Sequence, residues 1–148
     1  SIFRKELVHG FVHDEAASFM GGISGNAGLF GNAESIGGLL SFLEPNSTMF
    51  KQTTILKFTS YAFKNSEIRR GLGFDKPYSS DEYGEYPNKN LSKNSYGHTG
   101  FTGTMFWVDP EKELTIVFLT NRVYPSRENQ SFYTNNVRVK LIDLLIKN

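Results

Sequence analysis

The sequence contains no cysteine. That excludes disulfides, thiol catalysis and cysteine metal sites, and it leaves the compartment open because many exported proteins also lack cysteine. No apolar run approaches the ~20 residues that span a bilayer. No basic stretch followed by an apolar core marks a signal peptide. An excess of one charge is missing too: 16 Lys and Arg stand against 15 Asp and Glu, a net charge of +1. This balance carries no electrostatic footprint for nucleic acid or a membrane surface. No internal repeat is visible. The chain opens with Ser1 rather than Met, which points to an excised piece of a longer protein.

What is present is core-forming material. The 148 residues are 39% hydrophobic and 14% aromatic, enough for one domain or a large piece of one. The organising stretch is residues 96–109, Tyr-Gly-His-Thr-Gly-Phe-Thr-Gly-Thr-Met-Phe-Trp-Val-Asp. From Thr102 to Val108 every residue except Gly103 is threonine, aromatic, β-branched or Met, which predicts a long strand. His98-Thr99-Gly100 lies just ahead of it, where a glycine lets the backbone approach a ligand closely. Asp109-Pro110-Glu111-Lys112-Glu113 reads as a turn with Pro at its second position, and 114–120 as the returning strand. Ile116, Val117, Phe118 and Leu119 run together, so both faces of this hairpin are expected to be covered by helices.

The rest of the chain is read in the same way. Residues 1–12 look extended or loop-like. His13-Asp14-Glu15 places a His beside two carboxylates, but adjacent residues do not converge on one ion, and a hydrogen-bonded loop is the plainer reading. The run Gly21-Gly22-Ile23-Ser24-Gly25-Asn26-Ala27-Gly28 lacks the Lys-Ser/Thr of a phosphate loop and the last glycine of a nucleophile elbow, so a tight packed turn is expected. Asn32 caps a helix whose stripe is Ile36, Leu39, Leu40 and Leu43, with Pro45 as its stop and a close packing partner expected at Gly37-Gly38. A shorter helix covers 51–58, with Ile55 and Phe58 inward. Residues 70–75 look like a short strand ended by Pro77, and 77–95 form a polar surface loop. A terminal helix runs over 132–146, with Tyr133, Val137, Leu141, Leu144 and Leu145 inward and Arg138 and Lys140 outward.

Four segments together resemble the C-terminal part of the serine β-lactamase and penicillin-binding-protein-like family. They are Val12-His13-Asp14-Glu15, the glycine-rich run extended through Leu29-Phe30, Arg70-Gly71-Leu72-Gly73-Phe74, and Gly97-His98-Thr99-Gly100-Phe101-Thr102-Gly103-Thr104. Asp109-Pro110 and Thr120-Asn121-Arg122-Val123-Tyr124-Pro125 extend the match, which covers about residues 8–146. Each motif alone is weak, and their order and spacing together are fairly specific. The chain is similar to the module that some Bacteroidetes proteins carry after a family-three glycoside hydrolase domain.

The resemblance implies an α/β (α+β) fold, a partial β-lactamase/transpeptidase-like architecture. Its antiparallel sheet of about three strands has flanking helices, including a C-terminal one. Residues 1–148 are then a single partial domain, with a loop and helical part at 1–66 and the sheet hairpin and C-terminal helix at 67–148. The family uses a Ser-x-x-Lys nucleophile motif, a Tyr-x-Asn-like step and a Lys/His-Thr-Gly motif. No Ser-x-x-Lys occurs here: Thr48 with Lys51 and Thr54 with Lys57 are near misses with Thr for Ser. Tyr78-Ser79-Ser80-Asp81 matches the second motif only superficially. The third is present as His98-Thr99-Gly100. Asn26 stands where many relatives have His.

Carried over residue by residue, the resemblance gives the catalytic wall His98, Thr99, Gly100 and the backbone N–H of Phe101, with Thr102 and Gly103 touching substrate. No cofactor and no metal are expected. The partner is a small amide or ester, or a peptidoglycan-like substrate, reached with a part of the fold that this chain lacks. Nucleic acid is not a partner, and exposed apolar surface allows a homo-oligomer. The setting is periplasmic or cell-envelope. The expected function is that of a C-terminal fragment of a serine hydrolase, inert alone. The alternative is a non-catalytic accessory or binding domain of a cell-wall glycosidase.

Overall fold

A computed structural model describes residues 6–64 and 66–147. They divide into two compact units, one ending at Asn32 and one beginning at Ala33.

In the first unit, residues 1–5 of the segment expected to be extended lie outside the described residues, and 6–12 form neither helix nor strand. Helix α1, Glu15–Phe19, follows. Asp14 is its N-cap: Oδ1 accepts from the Ala17 N–H at 2.8 Å and from Asn26 Nδ2 at 3.2 Å. These bonds, the Ala17 one first, hold the Asp14 carboxyl below the usual carboxylate range. The polar triplet at 13–15 is thus a helix start. Among the described residues no group of three or more His, Asp or Glu could hold a metal ion. The glycine-rich run is the expected tight turn, closed by paired backbone bonds between Ser24 and Ala27 of 3.0 and 3.3 Å. Gly28 sits at φ +117°, and a Cβ there would stand 2.5 Å from the Gly22 carbonyl oxygen, so only glycine fits.

The second unit is built on a three-stranded antiparallel sheet in the order β1 (Tyr96–Thr99), β2 (Met105–Asp109), β3 (Leu114–Phe118). Tyr96 pairs with Val108, Thr99 with Met105, and Trp107 with Ile116. The two-residue period of the strands sorts their side chains. Tyr96 and Val108 pack with Leu40, Ile36 and Leu43 of the helix on one face. Met105, Trp107 and Ile116 pack with Leu91, Ile142 and Leu141 on the other. Helices on both faces match the unbroken apolar run of β3.

Several expectations change. The long strand from Thr102 starts only at Met105. The chain reverses over 100–104, with Gly100 N–H bonded to the Thr104 carbonyl at 2.9 Å and Gly103 N–H to the Gly100 carbonyl at 3.1 Å. Gly103 has φ +96°, which ends strand geometry there, so Thr102 and Gly103 are turn residues. Helix α2, Ala33–Leu40, tightens into a 3₁₀ turn, Ser41–Leu43. Leu39 is 54% exposed, and among the described residues nothing lies within 4 Å of a Cβ at Gly37 or Gly38, so the close partner expected there is not found among them. In α3, Gln52–Thr59, Ile55 is buried as expected, but Thr59 takes the inward place given to Phe58.

The terminal helix is two helices, α4 (Ser131–Thr134) and α5 (Val137–Lys147), divided where Asn136 adopts φ +50°. The break rotates the stripe: Ile142 becomes fully buried, Leu144 is 62% exposed, and Arg138 turns in toward the sheet. Residues 77–95 are anchored by their polar side chains. Asn88 Nδ2 donates to the Val139 carbonyl at 3.1 Å and to Asp143 at 2.9 Å, and Asp109 accepts from Ser92 N–H and Oγ at 2.8 and 2.7 Å.

Candidate functional site

The residues expected to matter lie at one end of the sheet, at the junction of β1 and β2. Their support starts with residues 70–75. These form a tight hairpin of isolated bridges where a strand was expected, with Gly71 N–H on the Phe74 carbonyl at 2.9 Å. Its last residue, Asp75, joins the outer edge of β1: Asp75 N–H bonds the Gly97 carbonyl at 2.7 Å and Gly97 N–H returns to Asp75 at 3.0 Å. Gly97 is required by the crowding. A Cβ there would meet the Phe106 carbonyl oxygen and the Trp107 ring, each at 2.3 Å. Because backbone direction alternates along a strand, Thr99 turns its main chain to the same outer side as Gly97. Beyond the Gly97 bridge, that edge has no strand partner among the described residues.

The Asp75 carboxylate is buried and crowded with cations. Arg70 Nη1 pairs with Oδ1, and Arg69 Nη1 lies 3.3 Å from Oδ2. The Tyr86 hydroxyl donates to Oδ2 at 3.1 Å, and the Arg69 guanidinium lies 3.6 Å from the centre of the Tyr86 ring. Burial raises the Tyr86 phenol pKa, opposed first by the neighbouring Thr99 side chain. Asp75 and Tyr86 therefore tie the back of β1 to the two arginines.

His98 is exposed. Its Nδ1 lies 3.0 Å from the Thr99 carbonyl oxygen, and its Nε2 lies 3.3 Å from Arg70 Nη1. The 100–104 turn is held by two more arginines. Arg138 donates to the carbonyls of Gly100 at 2.9 Å, Thr104 at 3.1 Å and Gly103 at 3.2 Å. Arg122 Nε donates to the Phe101 carbonyl at 2.8 Å, and its guanidinium lies 4.6 Å from the exposed Phe101 ring. Burial lowers the Arg138 pKa from its ordinary value. A Cβ on Gly103 would stand 2.7 Å from Thr120 Cγ2, and one on Gly100 2.4 Å from Thr104 Oγ1. His98 and Thr99 thus end β1, and Gly100, Phe101, Thr102 and Gly103 follow in the arginine-held turn, beside a sheet edge with no further strand partner among the described residues.

The supporting roles of Arg70, Asp75, Tyr86, Arg122 and Arg138 were not foreseen from the sequence, although Arg70 and Arg122 lie in the family-like segments. A continuous helical period put Arg138 outward, and only the αL break at Asn136 turns it in.

A groove of about 670 Å³ lies elsewhere, lined by Leu43, Ile55, Tyr61, Lys76, Tyr96 and Glu111 among others, with none of residues 98–103 in it. Lys76 is 1% exposed and donates to the carbonyls of Ser95 at 2.7 Å and Asn94 at 3.1 Å. Burial lowers its pKa from 10.5 to about 8, against the attraction of Asp109.

Comparison with known proteins bears on the family of the chain. The family model described as Beta-lactamase matches residues 5–137. The chain is 36% identical over 125 residues to a Bacillus subtilis (strain 168) protein named "N-acetylmuramyl-L-alanine amidase", covering 80% of this chain and 28% of that protein. It is 31% identical over 138 residues to a Salmonella enteritidis PT4 protein named "Putative D-alanyl-D-alanine carboxypeptidase", covering 89% of this chain and 31% of that protein. An Escherichia coli K12 protein of the same name is 34% identical over 125 residues, covering 80% and 28%. No solved structure matches. The chain therefore spans about a third or less of the length of these relatives. With nine-tenths of its residues inside the family match and its sheet flanked by helices, the chain belongs to the Beta-lactamase family of serine hydrolases.

Proposed function

We propose that this chain supplies one wall of an acyl-transfer site that hydrolyses an amide or ester through an acyl-serine. The single observation that carries the reading is the His98-Thr99-Gly100 step at the open outer edge of β1, on a turn whose carbonyls are fixed by Arg138 and Arg122. An open edge offers main-chain groups to an extended substrate, and a threonine hydroxyl suits a substrate carboxylate or carbonyl. The Phe101 N–H is the oxyanion donor on this wall. One such donor is worth about 2.7–4 kcal/mol of transition-state stabilisation. Thr102 and Gly103 shape the approach of the substrate. The nucleophile comes from polypeptide outside this sequence, since no Ser-x-x-Lys occurs within it.

The names of the relatives favour a cell-wall peptide amide as substrate and a cell-envelope setting. The isolated chain is expected to be inert. Nitrocefin and p-nitrophenyl ester turnover, measured beside a His98→Ala control, tests this. Turnover by the isolated chain that the control lacks overturns the claim of inertness. In the longer protein that carries this segment, fluorescent penicillin should acylate a serine. Failure to label it, with folded protein, overturns the hydrolase reading and favours an accessory domain.

A further inference from the structure

The imidazole of His98 stands between two groups with fixed hydrogen-bonding character. A guanidinium has only donors, so at 3.3 Å from Arg70 Nη1 the Nε2 atom has to act as the acceptor. A peptide carbonyl oxygen only accepts, so at 3.0 Å from Thr99 the Nδ1 atom has to carry the proton. Both contacts are satisfied together by one species alone, the neutral ring with its hydrogen on Nδ1. Doubly protonated imidazole would aim an Nε2–H at the arginine. The other neutral tautomer would set two donors against each other at Nε2 and two lone pairs against each other at Nδ1.

Arg70 is itself held. Its Nη1 pairs with the buried Asp75 carboxylate, which also receives Tyr86 and Arg69. Asp75 is locked to β1 by the two backbone bonds with Gly97, one residue from His98. The guanidinium is therefore fixed relative to the ring by the same strand that carries the ring.

We propose that Arg70 is a positioning residue that holds His98 as the neutral Nδ1–H tautomer, so that the cation at this end of the site is the guanidinium and the imidazole is no proton donor to substrate. Its catalytic meaning rests on the hydrolase reading above, but the tautomer itself is a property of this chain and is measured without any turnover. No bond to substrate forms or breaks in it. The proton stays on Nδ1 and the Nε2 lone pair stays on Arg70.

The test is long-range ¹H–¹⁵N correlation of the ring nitrogens in the ¹⁵N-labelled chain at about pH 8, above the ordinary histidine range. A His98→Gln variant assigns the His98 signals, and His9 and His13 in the other unit serve as internal references. The expected result is a downfield, unprotonated-type signal at Nε2 and an upfield, protonated-type signal at Nδ1. In Arg70→Ala the Nδ1–H fraction should fall and the Nε2–H form that unconstrained histidines prefer should appear, the Thr99 carbonyl alone then favouring Nδ1–H. Arg70→Lys, which keeps a donor but loses the planar fork, should restore part of the Nδ1–H form. Backbone amide dispersion checks that each variant is folded. An Nε2–H ring in the unaltered chain overturns the proposal, as does an Nδ1–H fraction that Arg70→Ala leaves undiminished. Either result leaves the acylation test of the hydrolase reading untouched.

Discussion

At the scale of single residues, the crowding around Gly97 makes the sharpest prediction. An added methyl has to displace either the Phe106 carbonyl or the Trp107 ring. Gly97→Ala should cost on the order of 1–3 kcal/mol by overpacking, read as a lower urea midpoint. Gly37 is the opposite case. It lies in a helix with nothing near its Cβ position, so Gly37→Ala should stabilise by about 0.5–1 kcal/mol in the same measurement. Lys76 makes a pH prediction. Its folded pKa of about 8 lies below the unfolded 10.5, so in that interval the unfolded chain binds the extra proton. Stability should therefore rise with pH from about 8 toward 10. Tyr96 acts with the opposite sign: burial raises its phenol from 10.0 to about 12, so stability falls as pH climbs from 10 toward 12. Urea midpoints across pH should pass through a maximum near 10. Lys76→Met should remove the rising limb, and Tyr96→Phe should flatten the falling one.

At the scale of elements, α5 acts on the 100–104 turn through one side chain. Arg138 caps three of its carbonyls, and hydrogen bonds to a charged donor are worth about 1.5–3 kcal/mol each at best. Arg138→Met should leave the sheet paired while amide exchange at Gly100 and Gly103 quickens more than at Trp107. Equal quickening at all three amides would contradict a local role. This arginine shows where sequence reading stopped. The β2–β3 hairpin, its Asp109-Pro110 turn and helices on both faces were legible, because β-branched and aromatic runs and a proline turn are local signals. Strand β1, by contrast, reads only as the entry to a longer strand, and 70–75 as a strand it does not form. Arg138, Asp75 and Tyr86 were not legible, because their roles depend on contacts across 11 to 38 positions of chain. The αL residue at Asn136 was equally silent, since asparagine tolerates both helix and turn. The step His98-Thr99-Gly100 stood out only through its resemblance to a family. Composition alone describes it equally well as the end of a strand.

At the scale of the whole molecule, β3 is the other margin of the sheet. Its outer side has no strand partner among the described residues, and its sequence Leu-Thr-Ile-Val-Phe carries no charge. Edges that lack a strand partner and charge tend to associate, so sedimentation should show reversible self-association that strengthens with concentration. Thr115→Lys places a charge on that margin and should shift the equilibrium toward monomer. A monomer at every concentration contradicts the expectation. The relatives are about three times as long as this chain, so activity belongs to assays on longer proteins while stability and tautomer belong to this one. For the latter the molecule carries its own optical gauge. Trp107 is the single tryptophan, fully enclosed, with its indole N–H bonded to Ser95 Oγ at 2.9 Å. Its emission should be blue and weakly quenched by iodide while the sheet is intact, and should redden when the sheet melts. The light it gives reports on the unit from Ala33 onward and leaves the glycine-rich unit dark.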